Sequence, residues 1–396
     1  MGSWGAAFNL ISFAYLAIAG LTTLRLFRGA RSAFDDEFTA ADHRLVGATA
    51  FYLVAPLGVV LHELGHAVVI WLFGGRVVDW HFLFYWGYVV PDRSFGPYGD
   101  LAVALAGNLV TVAIGALALR HLLRSPRNAA WNFFWRRVAD IHLSMALVFY
   151  PLMCLVGFGG DFVAIYRLET APVSAPLLAL HLTTVVLLWR ALKGRLGRRL
   201  ALLCSPLWDE LRAARREATE QPTAVCPQLR IAWAYLATGL SDEARQPLAR
   251  ALELRPGLPA ARAMLGQAIE VDDPVGAARE LTAALEDGGL DPLLRSTSEL
   301  SLARLRLAEG RAAEAIPHAC AALAGLPRDP SAAQLAWDVG EAAGATPALL
   351  AALDQASGRG NAIARQGLEA MARRARRTTA AAADEPLPPP NGPQPP

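Results

Sequence analysis

A short stretch near residue 60, His62-Glu63-Leu64-Gly65-His66, has residue types and a spacing that suit metal chemistry. On a helix, histidines four residues apart lie on one face, at a separation that lets both imidazoles bind one zinc ion. A glutamate between them can act as a general base towards a water molecule that the ion activates. We therefore predict Zn2+ as the cofactor, with His62 and His66 as metal ligands and Glu63 as the catalytic base.

The apolar surroundings of this stretch strengthen the metal interpretation. It lies in an otherwise uncharged run from Leu45 to Gly74. Ionisable side chains at the centre of a spanning helix cost roughly 2.5–3.5 kcal/mol each on membrane-insertion scales. A bound metal ion offsets that cost. The alternative is that the three polar side chains are satisfied by neighbouring helices without a metal.

Five apolar runs have about the 20 residues that cross the hydrocarbon core of a bilayer. They cover approximately residues 6–26, 45–73, 101–119, 139–158 and 172–192. The first run has no A-x-A cleavage signal, so we expect it to be retained as a spanning helix. Residues 1–195 are thus predicted to form a polytopic helix bundle embedded in a lipid bilayer.

Basic residues are distributed unevenly between these runs. The links after the first, third and fifth runs hold four, five and five of them, and the two other links hold two and one. Because basic residues stay on the cytoplasmic side, the N-terminus is predicted outside and everything after the fifth run inside. We expect an integral protein of the bacterial inner membrane with a cytoplasmic C-terminal half.

A hydrolytic zinc site needs a third protein ligand and one open position. Asp161 lies about as far along the fourth run as the histidines lie along the second, and both runs cross in the same direction. We therefore predict Asp161 as the third ligand, after glycines that allow a break in the helix. Asp140 lies at the opposite membrane face and is excluded. Three aspartates in the link after the second run remain alternatives: Asp79, Asp92 and Asp100.

The third run brings Ala106-Gly107-Asn108 to the same depth. Gly107 permits close helix packing. We predict Asn108 as a catalytic residue that hydrogen-bonds the substrate or the oxyanion of peptide hydrolysis. The alternative is a polar contact between helices.

Residues 45–170 resemble the site-2 protease family of intramembrane zinc metalloproteases. The resemblance is carried by the histidine-glutamate stretch, the Ala-Gly helix and the late Gly159-Gly160-Asp161. It implies cleavage of peptide bonds in or near transmembrane segments of membrane protein substrates. The family usually has Gly-Pro-x-x-Asn in the middle helix; here Asn108 takes the proline position and Thr111 the asparagine position, so either residue is a candidate for the oxyanion contact. Family members also have glycine after the aspartate, where this chain has Phe162.

The family's zinc lies nearer the cytosolic face, whereas the basic residues here place the site nearer the outside. Between the second and third runs, aromatic residues recur at every second position, so one strand would point them to one side. They fit an interfacial aromatic belt, or a membrane-dipping β-hairpin beside the zinc, as the resemblance implies. The edge of such a hairpin could pair with an unwound substrate strand. The residues are Trp80, Phe82, Phe84, Trp86 and Tyr88.

The remaining histidines and cysteines have ordinary interpretations. His81 is predicted on the surface, and His142 and His181 are predicted to hydrogen-bond between helices. The four cysteines form no CxxC pair, which argues against a disulfide scaffold and a thiolate zinc site. We expect them to be small core residues.

The C-terminal half contains an internal repeat that resembles the tetratricopeptide family of paired antiparallel helices. Five positions match after a shift of 71 residues, about two tetratricopeptide periods, and four of the five pairs are identical. Three units fit residues 225–330, and a degenerate fourth extends to about 357; a generic Ala-Leu bundle is the alternative. Such an array offers a groove for protein partners. The matched pairs are Gly239 and Gly310, Ala244 and Ala315, Leu248 and Ala319, Ala251 and Ala322, and Pro256 and Pro327.

The whole chain is thus predicted to be mainly α: a bundle of about five spanning helices with a possible β-hairpin, then an α-solenoid. The predicted domains are 1–195, a basic amphipathic linker at 196–224, the repeats at 225–357, and a tail at 358–396 that is Pro-rich and disordered from about 378. The basic run at 373–377 is interpreted as a solvated helix end, and we expect no nucleic-acid partner. The competing function is a non-catalytic, membrane-tethered repeat scaffold.

Overall fold

The computed structural model describes residues 2–344, 346–359, 366–373 and 376. It is mainly helical, as the sequence predicts. Residue contacts divide the chain into two units, Met1–Ala213 and Ala214–Pro396, and each is described by itself below. Arg374, Arg377 and the tail from residue 378, for which we predict a basic helix end and a disordered segment, lie outside the described residues.

The described residues of the first unit fold into helices, with one β-hairpin between the third and fourth. The helices are α1 (Gly2–Ala33), α2 (Ala40–Thr49), α3 (Ala55–Leu72), α4 (Gly96–Arg124), α5 (Ala129–Ser144), α6 (Tyr150–Met153), α7 (Asp161–Ile165), α8 (Ala171–Lys193) and α9 (Arg195–Leu203). Helix α10 (Pro206–Glu220) includes the boundary between the units. The irregular turns are π-helical at Ala50–Val54, Met145–Phe149 and Cys154–Phe158, and 3-10 at Leu168–Thr170.

Among the described residues, five helical stretches are long and apolar enough to cross a membrane. They are Ile11–Ala33, Ala40–Leu72, Gly96–Arg124, Ala129–Gly157 and Leu168–Lys193. These match the five predicted runs but extend further at several ends, because polar residues continue a helix beyond its apolar part. Large apolar side chains on these stretches are exposed, as is typical of surfaces that face a membrane or a partner; Leu109, Leu117 and Leu180 are each 63% exposed.

Helices α3 and α4 pack closely because glycines face each other at their contact. A Cβ atom at Gly65 would lie only 3.0 Å from the Ala106 carbonyl oxygen and 3.1 Å from the Gly107 Cα. Small residues at such contacts let two backbones approach closely in an apolar setting. The close contact matters for function because α3 carries the histidine pair.

The aromatic link forms a β-hairpin of β1 (Val77–Phe82) and β2 (Gly87–Pro91), which pair antiparallel. The prediction of a single strand carrying all five aromatics is wrong, whereas a hairpin is present. The chain turns at residues 83–86, where the Leu83 N–H donates to the Trp86 carbonyl at 2.9 Å. Phe84 adopts a φ of 48° in this turn, so the alternation of the sequence does not continue through it.

The segment after the fifth apolar stretch folds against the start of α5. The Asn132 amide donates to the Leu203 carbonyl at 2.8 Å, and the Trp208 indole donates to the Arg127 carbonyl. The Asp209 carboxylate accepts from the Ala129 N–H at 3.1 Å, and burial raises the pKa of Asp209. The predicted linker therefore begins as an ordered part of the first unit.

The second unit is a series of paired helices. They are α11 (Val225–Leu236), α12 (Ser241–Leu254), α13 (Pro259–Ile269), α14 (Pro274–Asp287), α15 (Pro292–Ala308), α16 (Ala312–Gly325), α17 (Pro330–Ala343) and α18 (Thr346–Arg359). This is the predicted α-solenoid of helix-turn-helix units.

Alanines and leucines at the repeated positions line the contacts between these helices. Ala244 and Ala315, which are partners in the internal repeat, are both fully buried, and Gly239 and Gly310 both have positive φ at the turn between paired helices. Gly266 packs so tightly that a Cβ would lie 2.6 Å from the Leu281 Cγ. The repeat in the sequence thus corresponds to repeated close packing.

Candidate metal centre

Helix α3 presents both histidines to one point. The Nε2 atoms of His62 and His66 lie 3.0 Å apart, and their ring planes are inclined by 82°. The spacing of four residues places them one turn apart on one face, as the sequence predicts.

Asp161, the first residue of α7, reaches the same point from a distant part of the chain. Its Oδ2 lies 3.1 Å from the His62 Nε2 and 3.2 Å from the His66 Nε2. The side chains of these three residues are 14%, 6% and 18% exposed. Among the described residues, this is the group of His, Cys, Asp and Glu side chains whose ligand atoms are close enough to share a metal ion.

The other ring nitrogens fix the orientation of both imidazoles. The His66 Nδ1 lies 2.7 Å from the Val103 carbonyl, which only accepts, so this nitrogen carries the hydrogen. The Thr111 hydroxyl donates to the Gly107 carbonyl at 3.1 Å, and its oxygen can accept from the His62 Nδ1 at 2.9 Å. Such contacts are typical of metal-binding histidines, because they fix the tautomer.

In these tautomers, two imidazole lone pairs and a carboxylate oxygen face one another. The three atoms are 3.0–3.2 Å apart, with no hydrogen of their own between them. Because these electron-rich atoms repel one another, a cation between them would stabilise the arrangement. Ligands bound at about 2.0–2.1 Å to a tetrahedral zinc ion lie roughly 3.3 Å apart, close to the spacing here. The donor set therefore fits Zn2+.

Asn108 holds the carboxylate ligand from the side of α4. Its Nδ2 donates to the Asp161 Oδ2 at 2.8 Å and to the Ala104 carbonyl at 3.0 Å. Both amide hydrogens are thus engaged, and the buried Oδ1 has no hydrogen-bond partner among the described residues. A contact between Asn108 and substrate stays a prediction; the arrangement adds a role in orienting Asp161.

Gly107 leaves the space that the histidines occupy. A Cβ atom at this position would lie 2.3 Å from the His66 Nε2 and 2.9 Å from the His62 Cδ2. Any side chain here would displace both rings. Gly107, for which we predict close helix packing, is therefore also needed to make room for the two candidate histidine ligands.

Glu63 lies beside the group and against the hairpin. The residue is only 4% exposed. A Cβ atom at Gly87, the first residue of β2, would lie 3.0 Å from the Glu63 Cγ and 3.3 Å from its Oε1. The hairpin therefore covers the candidate base. Sequence reasoning missed Gly87, although a glycine within an aromatic strand signals close approach of another group.

The alternative aspartates are engaged elsewhere. Asp79 accepts from the Tyr88 hydroxyl, Asp92 from the Arg76 N–H, and Asp100 from Ser94 and the Phe95 N–H. Asp140 forms an ion pair with Arg136 at 2.7 Å.

The other histidines have structural contacts. His181 bonds Leu147 and Tyr166 in other segments, as predicted, and His81 is exposed. The interhelical bond predicted for His142 is wrong, since its Nδ1 bonds the Val138 carbonyl one turn back in its own helix. All four cysteines are free; Cys154 is buried but Cys226 is exposed, so a core position is wrong for Cys226. Burial raises the pKa of the Cys204 thiol to about 12.

Comparisons with known proteins do not assign this chain to a family. No family model matches it, and no curated protein matches it. A solved structure that it resembles is that of yeast Tom70, with 12% identity, a TM-score of 0.37, and coverage of 93% of this chain and 81% of that one. The assignment of helical repeats rests on the packing of α11 to α18 described above.

Proposed function

We propose that this protein is an intramembrane zinc metalloprotease of the site-2 protease type, which cleaves peptide bonds in or near transmembrane segments of other proteins. One observation carries the proposal. The His62, His66 and Asp161 ligand atoms converge within 3.2 Å from two apolar segments, with the buried Glu63 beside them. A purely structural metal site has no need of that carboxylate.

The ligands of the ion would be His62, His66 and Asp161, and three contacts hold these side chains in place. Thr111 and the Val103 carbonyl orient the imidazoles, and Asn108 orients the carboxylate. A zinc ion bound there would act as a Lewis acid, which would polarise the scissile carbonyl and make a water molecule more acidic.

Glu63 acts as the general base and then the general acid. Its carboxylate takes a proton from the attacking water and passes it to the nitrogen of the leaving amine. Its burial beneath β2 keeps bulk water away from this exchange. The low polarity of the surroundings strengthens each electrostatic contact in the site.

The hairpin provides a way to present an extended substrate. It has two strands, so each strand has one edge without a partner in the sheet. An unwound substrate segment could pair with one of these strand edges, close to Glu63. Unwinding is needed because a helix shields its own peptide bonds.

The helical repeats recruit or gate substrate by binding a protein segment, which is the usual use of such arrays. The proposed setting is the bacterial inner membrane, and the distribution of basic residues supports an orientation with the repeats in the cytoplasm. A reporter fused after residue 200 should register as cytoplasmic; an external signal would reverse this orientation.

The decisive experiment compares Glu63→Gln with wild type in detergent, measuring zinc content and cleavage of a transmembrane substrate. We expect zinc to be retained and cleavage to fall by about 100-fold or more, as for the loss of a general base. Glu169→Gln is the matched control, since Glu169 is an exposed carboxylate at the start of the fifth apolar stretch. Equal cleavage by Glu63→Gln and wild type would contradict the proposal, and zinc binding without cleavage in wild type would favour the scaffold.

A further inference from the structure

The residues directly before Asp161 do little to fix the position of Asp161. Three glycines there have positive φ: Gly157 at 96°, Gly159 at 73° and Gly160 at 110°. Gly157 lies in the π-helical turn Cys154–Phe158 and is the last residue of the fourth apolar stretch, and Gly159 and Gly160 follow that turn. Because glycine adopts many backbone conformations, this sequence does not by itself fix the position of the next residue.

The start of α7 also lacks a local cap. Its N-cap residue, Gly160, has no side chain to accept the free N–H groups of the first turn. In the structure, the Asp161 N–H instead donates to the Tyr150 hydroxyl at 3.1 Å. Tyr150 lies on α6, before the break, so this bond ties the two sides of the break together.

The Tyr150 ring contacts a candidate ligand, His62, and Phe162, the residue after the candidate ligand Asp161. It lies edge-on to the His62 ring, with 5.9 Å between ring centroids, and edge-on to Phe162 at 5.6 Å. Packing against these rings directs the Tyr150 hydroxyl at the backbone N–H of Asp161.

Gly160 is matched to this hydroxyl. A Cβ atom at position 160 would lie 2.6 Å from the Tyr150 oxygen. A side chain at that position would push the hydroxyl away from the Asp161 N–H. The tyrosine and the glycine therefore act as a pair.

We propose that Tyr150 is a positioning residue of the metal centre: its hydroxyl accepts the Asp161 N–H and fixes the carboxylate ligand opposite the histidines. The proposal rests on the metal site put forward above. It concerns the placement of a ligand, and Tyr150 itself takes no part in proton transfer.

Tyr150→Phe tests this because it keeps the ring and removes only the acceptor. In the full chain, we expect zinc affinity, measured by competition with a chelator, to fall by about 10–100-fold, as for other groups that orient ligands. In the metal-free protein, we expect faster hydrogen exchange at the Asp161 amide. Tyr166→Phe is the control. Tyr166 directly follows α7, and the change removes a hydroxyl that is bonded to His181 of α8, so it should leave zinc affinity unchanged.

Unchanged zinc affinity and unchanged Asp161 amide exchange in Tyr150→Phe would overturn the proposal. An equal loss of affinity in Tyr166→Phe would also overturn it, because the effect would then be general loosening. If wild type binds no zinc, the proposed function fails, and the amide exchange alone decides whether Tyr150 holds Asp161.

Discussion

The two units of this chain use their interiors differently. The first buries ionisable and polar side chains, among them Glu63, His66 and Asn108, and interrupts its helices with π-helical turns. In the second, the buried polar side chains among the described residues are serines, and Ser296 and Ser298 donate to carbonyls of their own helix. The regular interior of alanine and leucine in the second unit stabilises a helical scaffold. The irregular, polar interior of the first unit can hold metal-binding and catalytic side chains.

This contrast predicts that zinc binding depends on the first unit alone. His66→Ala removes a ligand, and we expect zinc affinity to fall by more than the roughly 100-fold upper range for groups that only orient ligands. Titration with a competing chelator measures this. His81→Ala is the control, because His81 is exposed on the hairpin; equal losses in the two variants would mean that zinc binds elsewhere.

Conversely, we expect a change in the packing of the repeats to leave zinc binding unaffected. Leu281 is fully buried in α14, and Leu281→Ala should reduce the free energy of unfolding of the second unit by about 2–5 kcal/mol. Denaturant unfolding followed by circular dichroism tests this, with Leu293→Ala as the control because Leu293 is 57% exposed. Loss of zinc from Leu281→Ala would show that the two interiors are not independent.

A smaller effect is expected where a helix contact orients a ligand. Thr111→Val keeps the shape but removes the acceptor for the His62 Nδ1, so zinc affinity should fall by about 10–100-fold. Thr111→Ser retains the hydroxyl and should recover most of the affinity. Equal affinities in Thr111→Val and wild type would exclude this contact from the metal site.

The smallest effect should come from the surface charges of the repeats. Hydrogen bonds from Arg306 and Arg311 hold the pKa of Glu309 below its usual value of 4.5. The stabilisation is present above that value and is lost as the pH falls through the lower folded pKa. Glu309→Gln should remove about 0.2–1 kcal/mol of this pH-dependent stability. Thermal melts at about pH 6 and pH 3 measure it; the same pH dependence in Glu309→Gln and wild type would contradict the assignment.

The parts of the site that depend on local spacing were predictable from sequence. His62, Glu63 and His66 follow from one helical turn, and counting depth along parallel spans predicted Asp161, which the structure brings to them. In the second unit, the repeat of alanines and glycines predicted the helix pairs, because close packing requires small residues at regular intervals.

What depends on helix rotation and on irregular backbone was not predictable. Thr111 contacts His62 only because of the rotation of α4 about its axis. Tyr150 reaches Asp161 across the glycine break, and although the glycines indicate the break, they do not indicate which side chain spans it. The hairpin turns at residues 83–86 without the Asn-Gly or Asp-Gly pair that usually marks a tight turn, so its strands were read as one.

X-ray absorption at the zinc edge, on the full-length protein and on Asp161→Asn, tests the central claim most directly. The account predicts stoichiometric zinc in wild type, with nitrogen and oxygen ligands at about 2.0–2.1 Å and no sulfur at about 2.3 Å. It also predicts weaker binding and a changed ligand shell in Asp161→Asn. Wild-type protein without zinc, or an identical spectrum from Asp161→Asn, would contradict it.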